Sequence, residues 1–64
     1  MDAKDYLIAI RAEPYNLTQE QVADRTGIPQ PTISKIERDK VKDVMSKTFV
    51  ALQALHQEVT KAAA

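Results

Sequence analysis

The chain has 64 residues, nine basic and nine acidic side chains, and a formal net charge of zero. It is one small domain or part of one, since ordinary domains run to roughly 100–200 residues, and so short a chain hides only about 60% of the surface its unfolded form exposes. It contains no cysteine, so neither a disulfide framework nor a Cys-based zinc site supplements the core, and the neutral total gives no sign of a nucleic-acid partner.

The first segment reads as a helix from about Asp2 to Ala12, with Ala3, Leu7 and Ile10 at helical spacing. Its apolar run Leu7-Ile8-Ala9-Ile10 falls far short of the ~18 residues of a membrane span. Asp2 and Asp5 do not fit the basic-then-apolar layout of a secretory signal, so a soluble cytoplasmic protein with no membrane partner is expected. Pro14-Tyr15-Asn16 breaks the helix. Thr18 starts the second segment, Gln19 to Arg25 or Thr26, and Gln21 stands three residues on, as a capping box requires. Val22 and Ala23 face inward.

Gly27, the only glycine, follows that helix where a positive φ is usual. The third segment starts near Pro29; prolines 29 and 31 are compatible with it because the first turn has no intrahelical acceptors for its N–H groups. Ile33 and Ile36 form its apolar face. After a charged loop from Arg38 to Asp43, the fourth segment runs from about Ser46 to Val59 or Thr60, with Phe49, Leu52, Leu55 and Val59 as its inward stripe. Residues 61–64 are expected to fray into a disordered tail after a domain at 1–60. No segment alternates with period two, so the class is all-α: a compact four-helix domain.

The zero charge is a sum of unequal parts. Residues 1–24 hold two bases and five acids, 2 − 5 = −3; residues 25–47 hold six bases and three acids, 6 − 3 = +3; residues 48–64 hold one of each. Such asymmetry suits a binding surface, because a ligand feels the charges within a Debye length. Alone, it equally describes a solvated helix face.

Residues 19–38, QEQVADRTGIPQPTISKIER, read as two short helices joined by a tight turn with one glycine, a helix-turn-helix unit. Ala23 is small enough for the second helix to cross close above it, Gly27 permits the reversal, Ile28 plugs the corner, and Ile33 and Ile36 anchor the second helix. An ordinary antiparallel helical hairpin does not require this set. Leu17-Thr18-Gln19-Glu20-Gln21-Val22-Ala23, Gly27-Ile28 and Thr32-Ile33-Ser34-Lys35-Ile36-Glu37-Arg38 resemble the Cro/phage-repressor (XRE) family of helix-turn-helix transcriptional regulators, over about Leu7 to Leu55.

The resemblance implies a lambda-repressor-like DNA-binding fold, with double-stranded operator DNA as partner. By position it implies that Gln19 contacts a phosphate, and that Gln30, Pro31, Thr32 and Lys35 face bases from the recognition helix. Arg11 and Glu37 match an ion pair tying the first helix to the third, and Arg38 to Lys42 match a loop gripping the backbone. The chain departs from the family in three places: one extra residue between Arg11 and Gln19, Asp39 where glycine is usual, and Pro31 at a position often held by a polar base reader. It ends after four helices, where many members add a dimerisation element.

The chemistry agrees with this placement. Gln pairs bidentately with an adenine edge, Lys reaches guanine O6 or N7, and Pro31 or the Thr32 methyl can touch a thymine methyl. Lys40 and Lys42, with Arg38, read as phosphate clamps that position without specifying. His56 is the single histidine and has no Cys companion, so no metal site is expected; it edges the core or a dimer surface. Ser34 and Ser46 lack a partner base, and no glycine-rich phosphate loop is present. The chain is read as no enzyme, with no cofactor and no small-molecule ligand.

Val44, Met45 and Val50 lie off the inward stripe of the last helix, as a possible dimer surface or as completion of a small core. A weak homodimer on DNA is expected, since such proteins read two half-sites. The leading reading is a sequence-specific regulator, a phage or prophage repressor of the Cro kind. The alternatives are the antitoxin of a toxin–antitoxin operon and a helical protein-interaction module without DNA binding.

Overall fold

A computed structural model describes residues 2–63 of the chain. The order is α1 (Ala3–Arg11), α2 (Gln19–Thr26), α3 (Gln30–Glu37) and α4 (Ser46–Ala63), with no strand among the described residues. α1 packs chiefly on α4, and α2 and α3 pack on each other and on this pair. Ala3, Leu7 and Ile10 from α1, Val22 from α2, Ile28 from the corner, Ile33 and Ile36 from α3, and Leu52, Leu55 and Val59 from α4 make one buried core. Burying each large side chain contributes about 1.5–3 kcal/mol, and no buried side-chain N or O atom among those described lacks a hydrogen-bond partner.

Local chemistry explains the helix boundaries. The Asp2 N–H donates to the Asp5 carboxylate at 3.1 Å, so one free donor of α1 is satisfied. That bond holds the Asp5 carboxyl below its ordinary pKa. Thr18 and Gln21 form the expected reciprocal box: the Gln21 N–H donates to Thr18 Oγ1 at 3.1 Å, and the Thr18 N–H donates to Gln21 Oε1 at 2.9 Å. Between α1 and α2 the chain turns through a cis Glu13–Pro14 bond, with Asn16 at φ +52°. The N–H groups of Tyr15 and Asn16 both donate to the Ala12 carbonyl, and that of Leu17 to Ile10, at 3.0–3.3 Å.

Phe49 is half-buried, where the sequence pattern put it on the inward stripe. Its ring meets Tyr6 edge-on with centroids 5.6 Å apart, and His56 lies against the same tyrosine at 5.1 Å. His56 therefore edges the α1–α4 seam. One expectation needs correction. α4 runs through Ala63, past the end expected at Val59 or Thr60, because Lys61, Ala62 and Ala63 are good helix formers; residue 64 lies outside the described residues. Of the three residues left open between a partner surface and the core, Val44 packs half-buried against the core together with Val41, whereas Met45 (71% exposed) and Val50 (57%) are on the surface.

Candidate nucleic-acid interface

The corner between α2 and α3 sets the direction of everything beyond it. Gly27 has φ +77° and its N–H donates to the Ala23 carbonyl at 2.9 Å. A Cβ there would meet nothing within 4 Å, so the need for glycine is one of backbone conformation and not of space. Thr26 reinforces the turn: its hydroxyl donates to the Val22 carbonyl at 2.7 Å and accepts the Ile28 N–H at 3.2 Å. Ile28 is then driven into the core, 6% exposed.

α3 opens with Pro29 as its N-cap and Pro31 in its first turn. The Thr32 and Ile33 N–H groups donate to the Pro29 carbonyl at 3.0 and 3.1 Å. The first turn thus presents side chains outward and few backbone donors. At the other end the Asp39 N–H donates to Ile36 and the Lys40 N–H to Lys35, at 3.1 and 2.9 Å, with Asp39 at φ +59°. This pair of bonds is a Schellman closure, with Asp39 at the left-handed position.

Successive residues of a helix are about 100° apart, so the buried pair Ile33 and Ile36 defines which face of α3 points away from the core. That outer face centres on Pro31, Ser34, Lys35 and Arg38. Pro31, Lys35 and Arg38 are exposed and Ser34 is half-exposed. Gln30, exposed, lies at the edge nearest α2. Thr32 lies at the opposite edge, half-buried, lining a groove with Gly27, Ile28, Met45 and Thr48. Gln30, Pro31 and Lys35 therefore share a continuous surface, while Thr32 is turned toward α4. Ser34 lies on that surface as well, a place that its chemistry as a serine without a partner base does not reveal. Its place four residues after Gln30 and three after Pro31 was the available signal. Lys40 and Lys42 are exposed just beyond the end of α3.

A chain of polar contacts runs from the scaffold to this surface. Arg11 Nη1 donates to both carboxylate oxygens of Glu37, at 2.7 and 2.6 Å, and its Nε donates to the Leu17 carbonyl at 3.2 Å. The pair is largely shielded, with side chains 34% and 19% exposed. Gln19 Nε2 donates to Glu37 Oε1 at 2.6 Å, and Gln30 Nε2 donates to Gln19 Oε1 at 3.4 Å. The Arg11–Glu37 ion pair that the resemblance implied is thus present. On the far side, an exposed Arg25–Glu58 ion pair ties the end of α2 to α4.

A family model described as helix-turn-helix matches residues 7–54. The chain is similar to protein P2 of Acyrthosiphon pisum secondary endosymbiont phage 1, at 46% identity over 43 residues. That match covers 67% of this chain and 46% of the relative, so the chain spans less than half of the relative's length. No solved structure gives a significant match.

Proposed function

Because this chain belongs to the helix-turn-helix family of DNA-binding regulators of the Cro/phage-repressor (XRE) type, we propose that it is a sequence-specific repressor of phage or prophage origin that reads the major groove with α3. The observation that carries the reading is the outer face of α3. It presents Gln30, Pro31, Ser34, Lys35 and Arg38 to solvent, no other helix covers it, and it lies beside Lys40 and Lys42. The similarity to a phage protein supports the origin.

In this reading Gln30 and Lys35 supply base contacts, each discriminating by about 1–3 kcal/mol, and Pro31 supplies apolar contact, while Thr32, turned toward α4, supplies none. Gln19, Arg38, Lys40 and Lys42 hold phosphates and set register. The partner is duplex DNA in the cytoplasm, and no catalytic role, cofactor, metal or small-molecule ligand enters. Met45 and Val50, exposed near the start of α4, are the surface on which two copies would meet weakly when they occupy adjacent half-sites.

Selection from a randomised duplex pool tests the proposal, with a single enriched, two-fold-related site as the expected result. The logarithm of the affinity for that site should fall linearly with log salt. Lys42→Ala should weaken binding to all sequences alike and lower the salt slope by about one, whereas Gln30→Ala should relax choice at one position. A flat response to salt and to both substitutions would overturn DNA reading in favour of a protein-interaction module. Co-purification with a toxin encoded alongside would overturn the phage-repressor assignment in favour of an antitoxin. Sedimentation that finds only monomer on a two-half-site duplex would remove the dimer.

A further inference from the structure

We propose that Asp39 selects against unrelated DNA: its carboxylate, set between the cations of the loop after α3, meets a phosphate whenever the protein sits out of register. The inference rests on the DNA-reading function above and adds to it a residue that acts by repulsion.

Nothing in the fold calls for an acid at this position. Asp39 follows the last turn of α3 with φ +59°, a conformation that glycine adopts freely and other residues adopt at a cost. The bonds that close the helix are made by backbone groups, Asp39 N–H to Ile36 and Lys40 N–H to Lys35 at 3.1 and 2.9 Å, and do not depend on the side chain. A carboxylate at this end of a helix also faces the partial negative charge of the last carbonyls, where a cation is favoured. The ion pairs among the described residues are Arg11–Glu37 and Arg25–Glu58, and Asp39 takes part in neither. It is exposed. Its charge therefore works against the helix it follows and stands free to act on whatever the loop binds.

What the loop binds is set by its neighbours. Arg38, Lys40 and Lys42 are exposed on either side of Asp39, and Lys42 and Asp39 line one cavity with Asp2 and Lys4 of the α1 end. The cations are thus interrupted by an anion and form no unbroken patch. When Gln30 and Lys35 hold their bases, the position of α3 is fixed and the three cations meet phosphates, with Asp39 between them. On an unrelated sequence no base contact fixes that position, and phosphates alone hold the protein in many registers. One base-pair step moves a phosphate about 3.4 Å along the duplex axis, close to the span of one extended residue. A slipped register therefore brings Asp39 onto a phosphate, and like charge penalises it. Selection comes from weakening the wrong complex, with little effect on the right one.

The test uses the intact chain, a duplex carrying the selected site and an unrelated duplex of the same length, with binding followed by fluorescence anisotropy at one fixed salt concentration. Asp39→Asn removes the charge and keeps a side chain that tolerates the left-handed position. It should tighten binding to the unrelated duplex by about two- to fivefold, the worth of one exposed charge pair, and binding to the selected site by less. Asp39→Gly should do the same, and thermal melts should find both variants at least as stable as wild type. Asp24→Asn changes the total charge equally, but on α2 beside Tyr15 and Leu17, and should leave the ratio of the two affinities as it is. An Asp39→Asn protein that binds both duplexes as wild type does, or tightens equally on both, would overturn the role of Asp39 while leaving DNA reading intact. So would an Asp24→Asn protein with the same loss of selection, since total charge would then be the cause. A wild-type protein that selects no duplex would overturn DNA reading, and this role with it.

Discussion

The α1–α4 half and the α2–α3 half of this molecule are held by different means. α1 and α4 meet along continuous apolar stripes, Ala3, Leu7 and Ile10 against Leu52, Leu55 and Val59, with Tyr6 seated between Phe49 and His56. α2 and α3 are eight residues each, below the ~12–15 residues at which an isolated helix becomes even marginal. They bury Val22, Ile33 and Ile36 and are joined to the scaffold by the polar chain from Arg11 through Glu37 to Gln19. The α2–α3 half therefore borrows its order from the scaffold. A few apolar anchors, this set of hydrogen bonds and the exposed Arg25–Glu58 ion pair hold it, and the outer face of α3 stays uncovered.

If that is right, the halves cannot come apart. Leu52→Ala in the scaffold and Ile33→Ala in α3 should each cost about 2–5 kcal/mol. A domain of 64 residues has roughly 3–10 kcal/mol in all. Urea melts followed by circular dichroism and by tyrosine fluorescence should give one coincident transition for both variants. A first transition confined to the α2–α3 half of the Ile33→Ala protein would break the dependence of one half on the other.

The two left-handed corners flanking α3 sharpen the comparison at smaller scale. Gly27→Ala should destabilise by about 1–2 kcal/mol, all of it conformational, since nothing lies within 4 Å of the new Cβ. Asp39→Gly should act the other way and stabilise, by up to about 1 kcal/mol, because Asp39 at φ +59° carries part of the same penalty. Thermal melts read both; equal destabilisation by the two would contradict the assignment of strain.

The smallest effect expected is at the start of α1. Asp5 has a depressed pKa, chiefly because it accepts the Asp2 N–H. Its contribution is thus present above the unfolded carboxylate value, about 4, and is lost as pH falls through the folded value. The Tm difference between wild type and Asp5→Asn should be largest near neutral pH and shrink in acid. A difference that grows in acid would reverse the sign and remove the cap from the account.

Much of this was legible in the residues because it is local. The spacing of Leu7 and Ile10, of Ile33 and Ile36, and of Leu52, Leu55 and Val59 marks the core faces. Thr18 with Gln21, and Gly27, mark the ends of α2. The Arg11–Glu37 pair, 26 residues apart in sequence, came from resemblance to a family and not from spacing. Gln19 with Glu37 and Gln19 with Gln30 are 18 and 11 apart, and only the crossing of α2 over α3 brings them together. The resemblance implied a phosphate contact for Gln19; its hydrogen bonds to Glu37 and Gln30 were not legible in the sequence. Periodicity also missed the continuation of α4 to Ala63, since alanine forms helix without an apolar partner. It left Val44 open between surface and core, because its burial depends on how the loop after α3 packs on the core.

The most direct test of the central claim is to titrate the protein with its selected duplex and follow backbone and glutamine side-chain amides by NMR. Perturbations should concentrate on Gln19, Gln30 through Arg38, and Lys40 and Lys42. The α1–α4 seam around Tyr6 and His56 should stay close to its free spectrum. Perturbation centred on Met45, Val50 and the outer face of α4, with the Gln19 and Gln30 amides unmoved, would contradict it.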